Sequence, residues 1–144
     1  MINHTIRIGF DLGGVLSKYP EIFLPFVKAL MAGGAEVYVI TDMHERSKTL
    51  DMLARNGFDI IPEKNVFNSD YNTHGELCKA VVLRENNIDI LIDDFPGYLT
   101  EGCPVRLQIC PDPYKSYYAD SWKTDGSEGN FGRRTVAKPV SNKV

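Results

Sequence analysis

The sequence predicts an α/β fold: a three-layer, doubly wound parallel sheet of about five strands with helices on both faces. Short apolar segments alternate with segments of about 10 to 15 residues whose apolar positions follow helical spacing, and this alternation is typical of βαβ units. Three apolar segments also end at polar residues, namely Asp11, Thr41 and the pair Asp93-Asp94. Ligands of such sheets bind beyond the carboxyl ends of the strands, so we expect these residues to share one site.

The first half of the predicted fold consists of two βα units. A strand over residues 5–12 precedes a helix over residues 20–31, and Gly33-Gly34 ends the helical pattern. A second strand over residues 36–40 leads to a helix over residues 45–55. The first helix has apolar residues at the spacing of a buried helix face: Ile22, Phe23, Phe26, Val27 and Leu30.

The second half is expected to complete the sheet with three more strands. One of two short extended segments, residues 58–61 or 66–67, supplies the third strand. Thr73 and Glu76 then form a capping-box pattern at the start of another helix. The remaining strands are expected over residues 88–92 and 105–109.

Composition indicates one globular domain with an extension. The chain has 144 residues, of which 43% are apolar and 24% charged, and a net charge of −3; this charge gives no general attraction to nucleic acid or anionic membranes. We expect a core over residues 1–112, an aromatic extension over 113–132 that packs on it, and a disordered polar tail over 133–144. Three cysteines without framework spacing, no run of about 18 apolar residues and no secretory-leader pattern favour a cytoplasmic protein that does not span a membrane.

The acidic residues at the strand ends predict a bound cation. The carboxylates of Asp11, Asp93 and Asp94 would repel one another in one site unless a hard cation joined them. Oxygen ligands of this kind suit Mg²⁺, which keeps several waters and often shares its shell with a phosphate. We therefore expect Mg²⁺ as the cofactor and a small phosphorylated molecule as the substrate.

The same residues resemble the haloacid dehalogenase-like (HAD) superfamily of phosphohydrolases. The similarity covers about residues 5–110 and is carried, in this order, by Phe10-Asp11-Leu12-Gly13-Gly14-Val15-Leu16, Val39-Ile40-Thr41 and Ile90-Leu91-Ile92-Asp93-Asp94. It implies a Rossmann-like HAD fold with no cap domain, since the segments between the motifs are taken up by the predicted helices and strands. The chain also resembles, loosely, the capless deoxynucleotidase-like branch of that superfamily.

The resemblance implies a role for each motif residue. Asp11 would be the nucleophile that attacks phosphorus and forms an aspartyl-phosphate. Thr41 would donate a hydrogen bond to a phosphoryl oxygen, and Asp42 and Gly14 are further candidates for substrate contact. The implied ligands of Mg²⁺, including one backbone carbonyl at the glycine, are Asp11, Gly13, Asp93 and Asp94.

Gly13 departs from the family pattern. The family usually has a second aspartate there, which protonates the leaving oxygen and later activates water. Glycine can do neither, and positioned acid–base groups contribute about 10²–10⁴ in rate. We expect slow hydrolysis of alkyl phosphates, or a preference for leaving groups that need little proton help, unless another side chain substitutes. The candidates for that substitution are Lys18, Tyr19 and His44.

The sequence leaves three candidates for the basic partner of the nucleophile, two of them stronger than the third. In the family a lysine opens the helix before the fourth strand, at the place where His74 stands, 19 residues before Asp93. Lys79 lies further along the same predicted helix and is the competing candidate, and Lys64 is a third. A histidine would be only partly cationic at neutral pH.

Each motif also has an ordinary structural explanation. Asp11 could be a plain strand-ending acid, Thr41 or Asp42 could cap the next helix, and the acid pair could open a turn. The alternative function is therefore a degenerate HAD-like domain that binds metal, phosphate or a protein partner without efficient catalysis. A receiver domain that accepts a phosphoryl group ranks last, because receivers place the acid pair after the first strand. An open site would admit a nucleotide or a nucleic-acid end, and the sequence leaves homo-oligomerisation open.

Overall fold

Five parallel strands form the centre of the protein in a computed structural model that describes residues 4–110. The strands are β1 (Arg7–Phe10), β2 (Glu36–Thr41), β3 (Val66–Asn68), β4 (Ile90–Asp93) and β5 (Val105–Gln108). The α-helices are α1 (Pro20–Ala32), α2 (Arg46–Arg55), α3 (Tyr71–His74) and α4 (Cys78–Glu85). The predicted extension over 113–132 and tail over 133–144 lie outside the described residues. Within the described part, no helix combines the length and apolar content needed to cross a bilayer.

The sheet has the order β3-β2-β1-β4-β5, and every neighbouring pair of strands is parallel. The chain builds outward from β1 through β2 to β3, and it then returns to place β4 on the other side of β1. This reversal makes the carboxyl ends of β1 and β4 a topological switch point, where open α/β sheets bind their ligands. The predicted α/β class with a parallel sheet of five strands is confirmed.

Each face of the sheet carries its own apolar cluster, because alternate strand residues point to opposite faces. Phe10 of β1 belongs to the cluster covered by α1 and α2, and its ring meets Phe23 of α1 edge-on, with ring centres 5.9 Å apart. Ile40 of β2 and Leu91 of β4 belong to the second cluster, together with Leu83 of α4. The sheet is thus the middle of three layers, and packing on both faces holds the strand ends in fixed positions.

Of the two segments predicted to supply the third strand, the second does so as β3, while Phe58–Ile60 is a single 3₁₀ turn. One local prediction, at the next helix, is wrong. Thr73 does not cap the following helix; Asp70 does so instead, and its carboxylate accepts a hydrogen bond from the Thr73 backbone N–H at 3.1 Å. The helix is also interrupted, because Gly75, with φ 59° and ψ −138°, separates α3 from a 3₁₀ turn and α4.

Candidate functional site

Three carboxylates, here called the acid cluster, meet at the switch point between β1 and β4. Asp11 directly follows β1, Asp93 is the last residue of β4, and Asp94 comes next. Each offers a carboxylate oxygen within 4.8 Å of the others, and the three residues are only 4%, 0% and 2% exposed. The backbone N–H of Asp11 donates to the carbonyl of Ile92 at 2.9 Å. The structure therefore brings together the acids that the sequence places at two separate strand ends.

Lys79, in the first turn of α4, reaches into the acid cluster. Its Nζ donates to Asp11 Oδ1 and to Asp93 Oδ2, both at 2.7 Å, and its side chain is fully buried. The same nitrogen lies 4.5 Å from the centre of the Tyr98 ring. Charge-assisted hydrogen bonds of this kind are short and strong. Lys79 therefore ties the end of β1 to the end of β4.

The structure places Lys79, and not His74, against Asp11. His74 is the last residue of α3 and its side chain is exposed. The break at Gly75 explains the difference, because the prediction counted positions along one unbroken helix. Lys64, the third candidate, is exposed in a 3₁₀ turn before β3. We therefore withdraw His74 and Lys64 as basic partners of the acid cluster.

The acid cluster carries more negative charge than Lys79 balances. Burial, together with the charges of Asp93 and Asp94, raises the pKa of Asp11 well above its usual value of 3.8. Burial alone would lower the pKa of Lys79, but the carboxylates of Asp11, Asp93 and Asp42 outweigh that effect and raise it. Lys79 is therefore an ammonium at neutral pH, and with all three carboxylates ionised the four side chains would carry a formal charge of −2. A divalent cation would balance this charge.

The two adjacent acids at the end of β4 have different surroundings. Both carboxylate oxygens of Asp93 accept hydrogen bonds, Oδ2 from Lys79 and Oδ1 from the backbone N–H of Phe95 at 2.9 Å. The carboxylate of Asp94 lies against Gly14 instead, because a Cβ at position 14 would come within 2.5 Å of Asp94 Oδ2. Gly14 also has a φ of 81°, which strains any residue with a side chain. Asp93 thus positions Lys79, and Asp94 faces the loop after β1.

The donor chemistry of the acid cluster fits Mg²⁺. This ion is usually held by one or two carboxylates, with waters and substrate phosphate completing its shell. Asp11, Asp93 and Asp94 each offer an oxygen to such an ion. Because hydrogen bonds within the protein engage both oxygens of Asp93, we expect Asp11 and Asp94 to be its main side-chain ligands. Gly13, whose carbonyl the sequence resemblance adds as a ligand, lies in the loop between Asp11 and Gly14.

Stabilisation of the fold by Mg²⁺ is expected to grow as the pH rises from about 5 to about 8. In the folded protein the pKa of Asp11 is raised, so the carboxyl group keeps its proton at pH values above the usual pKa of 3.8. This proton stabilises the fold at low pH. The contribution is lost as the pH rises through the raised pKa. Mg²⁺ must displace the proton at low pH and binds the free carboxylate at high pH. At a Mg²⁺ concentration about 100 times its dissociation constant, binding adds about 2.7 kcal/mol to the free energy of unfolding. This corresponds to a rise of roughly 10 °C in Tm.

Thermal unfolding with and without Mg²⁺ measures this dependence directly. Asp11→Asn is the control, because it removes the titrating carboxylate and the pH dependence that comes from it. A stabilisation by Mg²⁺ that is the same at both pH values in the parent protein would contradict the assignment of Asp11 as a ligand.

Thr41 and Asp42 lie at the end of β2, the strand beside β1. The Thr41 hydroxyl oxygen accepts a hydrogen bond from the Met43 backbone N–H at 3.2 Å, so its own hydrogen remains to be donated. Asp42 accepts a hydrogen bond from the Tyr98 hydroxyl at 2.5 Å, and α2 begins further on without a side-chain cap. Through Tyr98 and Lys79, Asp42 is connected to the acid cluster.

Sequence reasoning missed the residues that hold the end of β2 in place. Ser69 donates to the Thr41 carbonyl through its backbone N–H at 2.7 Å and its hydroxyl at 2.9 Å. The side-chain amide of Asn68 donates to the Met43 carbonyl at 2.8 Å. No local pattern marks these residues or Tyr98, since their partners lie 25 to 56 positions away in the chain.

Gly13 leaves open space two residues after Asp11. Its φ of −70° and ψ of 127° are ordinary extended backbone. Apart from its two chain neighbours, a Cβ there would meet no atom of the described residues within 4 Å. Of the side chains predicted to substitute for the missing acid, His44 is exposed, while Lys18 and Tyr19 are partly buried just before α1. Position 13 could therefore take a side chain without rearrangement of its neighbours.

Comparisons of the chain with protein-family models, curated proteins and solved structures find no match.

Proposed function

We propose that this protein is a Mg²⁺-dependent phosphohydrolase of the HAD-like type, in which Asp11 attacks the phosphorus of a phosphomonoester and forms an aspartyl-phosphate. The observation that carries this proposal is the contact of Lys79 Nζ with Asp11 and Asp93, beside Asp94, at the switch point of the sheet. A bound cation and a fixed ammonium beside one carboxylate are what an anionic nucleophile needs when it attacks an anionic phosphate. The order of motifs in the sequence supports the same assignment.

Each residue of the acid cluster has a separate task in this mechanism. Asp11 is the nucleophile, and Lys79 offsets the repulsion between its carboxylate and the phosphoryl oxygens. Asp93 holds Lys79 in position through its Oδ2. When bound by Asp11, Asp94 and the Gly13 carbonyl, Mg²⁺ supplies charge neutralisation at the phosphoryl group. The Thr41 hydroxyl donates a hydrogen bond to a phosphoryl oxygen.

The proposed substrates are small phosphorylated molecules, including nucleotides. Within residues 4–110, α1 is the only α-helix between β1 and β2, and α2 the only one between β2 and β3. This supports a capless site that would also admit a nucleic-acid end. Asp42 and Gly14 stay proposed substrate contacts, although Asp42 is already bonded to Tyr98 and Gly14 lies against Asp94.

Asp11→Asn is expected to abolish Mg²⁺-dependent phosphate release from nucleotides and p-nitrophenyl phosphate, because the amide cannot act as the nucleophile. The parent protein is expected to release phosphate slowly. His74→Ala is the matched control and should keep the parent rate, since His74 is exposed and outside the acid cluster. Equal rates for the parent and Asp11→Asn would remove the nucleophile assignment.

The lack of an acid–base side chain at Gly13 supports a second candidate function, that of a domain that binds Mg²⁺ and phosphate with little or no turnover. The same experiment separates the two functions. Saturable Mg²⁺ binding without phosphate release or modification of Asp11 would support the binding domain, because the acid cluster and Lys79 would then serve binding alone.

A further inference from the structure

Among the described residues, the side chains of the acid cluster and Lys79 already have other hydrogen-bond partners or a proposed cation to bind. Lys79 is an ammonium that donates to Asp11 and Asp93, so it has no lone pair to accept a proton. Asp93 uses both of its oxygens as hydrogen-bond acceptors within the protein. Asp94 is the acid that we assign to the cation. Within residues 4–110, none of these three side chains is therefore assigned as the general base for a water molecule that attacks at Asp11.

Position 13 is where a further proton-transfer group would fit. It lies two residues after Asp11, and within residues 4–110 a Cβ there would have no atom other than those of its chain neighbours within 4 Å. Glycine therefore supplies no side chain at this position that could protonate a leaving group or deprotonate a water.

The two halves of the proposed reaction differ in how much they depend on a proton-transfer group near Asp11. In the first half, an Asp11 oxygen attacks phosphorus and the bond from phosphorus to the leaving oxygen breaks, with the electron pair going to that oxygen. No proton is required when the leaving group is a stable anion, as with acyl phosphates and phosphoanhydrides. In the second half, water must lose a proton as it attacks phosphorus and frees the Asp11 carboxylate, and a missing general base slows this step by about 10²–10⁴.

We infer that Asp11 accepts a phosphoryl group from donors whose leaving group is a stable anion and holds it as a long-lived aspartyl-phosphate. This inference rests on the proposed role of Asp11 as nucleophile and adds the donor class and the slow step. The protein then works as a stoichiometric phosphoryl acceptor, and its turnover of these donors is limited by hydrolysis of the intermediate.

The test is incubation of the full chain with Mg²⁺ and acetyl phosphate, followed by acid quench, intact mass measurement and mapping of the modified residue. We expect one phosphoryl group per chain, on Asp11, with none on Asp11→Asn. Glycerol phosphate, whose leaving alkoxide needs a proton, should label the parent far more slowly. After donor removal the adduct should decay about 10²-fold or more slowly than in Gly13→Asp. Gly13→Asn, which adds bulk without a base, should keep the parent lifetime.

The outcomes separate this inference from the proposed function. Rapid multiple turnover of acetyl phosphate by the parent with no adduct would overturn the long-lived intermediate but leave Asp11 as nucleophile. Absence of both adduct and phosphate release with every donor would overturn the nucleophile assignment and the inference with it. The comparison of acetyl phosphate with glycerol phosphate needs no variant, so the test does not depend on the folding of Gly13→Asp.

Discussion

Gly13→Asp is expected to raise kcat for an alkyl phosphate such as glycerol phosphate by about 10²–10⁴. The new carboxyl would lie two residues from Asp11, where it could protonate the leaving oxygen and later accept a proton from water. The backbone accepts the change, because φ is −70° and ψ is 127° at this position and a Cβ would lie more than 4 Å from every described residue except its two chain neighbours. Steady-state phosphate release at saturating Mg²⁺ measures the effect.

Gly13→Asn is the matched control for this gain, since it has nearly the same shape but cannot exchange a proton. It should stay within a few-fold of the parent protein. The gain in kcat/KM, which reports the first half of the reaction, should also be smaller for p-nitrophenyl phosphate, because its leaving group needs less help from an acid. A folded Gly13→Asp variant with the parent rate on glycerol phosphate would show that position 13 does not face the reacting atoms.

Lys79→Met is expected to lower the free energy of unfolding by about 3–5 kcal/mol when Mg²⁺ is absent. Methionine fills a similar volume, but it leaves Asp11, Asp93 and Asp94 buried together without the ammonium that contacts two of them. The loss should shrink at low pH, where protonation of Asp11 relieves the repulsion. Equilibrium unfolding in urea with a chelator present measures the change.

Lys64→Met is the control for this loss, because Lys64 is exposed in a 3₁₀ turn and should change stability by about 0.5 kcal/mol or less. Adding Asp93→Asn to Lys79→Met should cost less than the sum of the two single changes, since the residues are in contact and their effects couple. Additive losses would mean that the bond from Lys79 to Asp93 does not contribute to stability.

The fold could be predicted from the sequence because its signals are local. Apolar runs, helical spacing and glycine stops lie within each element, and α1, for example, covers Pro20–Ala32 against an expected 20–31. The sequence also predicts that the acids at the ends of β1 and β4 lie close together, because the carboxyl ends of parallel strands meet at one edge of the sheet. That argument needs only the strand ends and no contact between side chains.

The choice between His74 and Lys79 could not be made in this way, since it depends on the helix break at Gly75. A count along an ideal helix does not show such a break. The sequence also does not predict the different surroundings of Asp93 and Asp94, because these arise from the backbone N–H of Phe95 and the φ of Gly14. Such features depend on packing between distant parts of the chain and on backbone conformation that local patterns do not specify.

A crystal structure grown with Mg²⁺ tests the central claim most directly. The account predicts one ion bound between the carboxylates of Asp11 and Asp94, with Lys79 still in contact with Asp11 and Asp93. An acid cluster with no ion at saturating Mg²⁺, or an ion held without Asp11, would contradict the proposed site and the chemistry built on it.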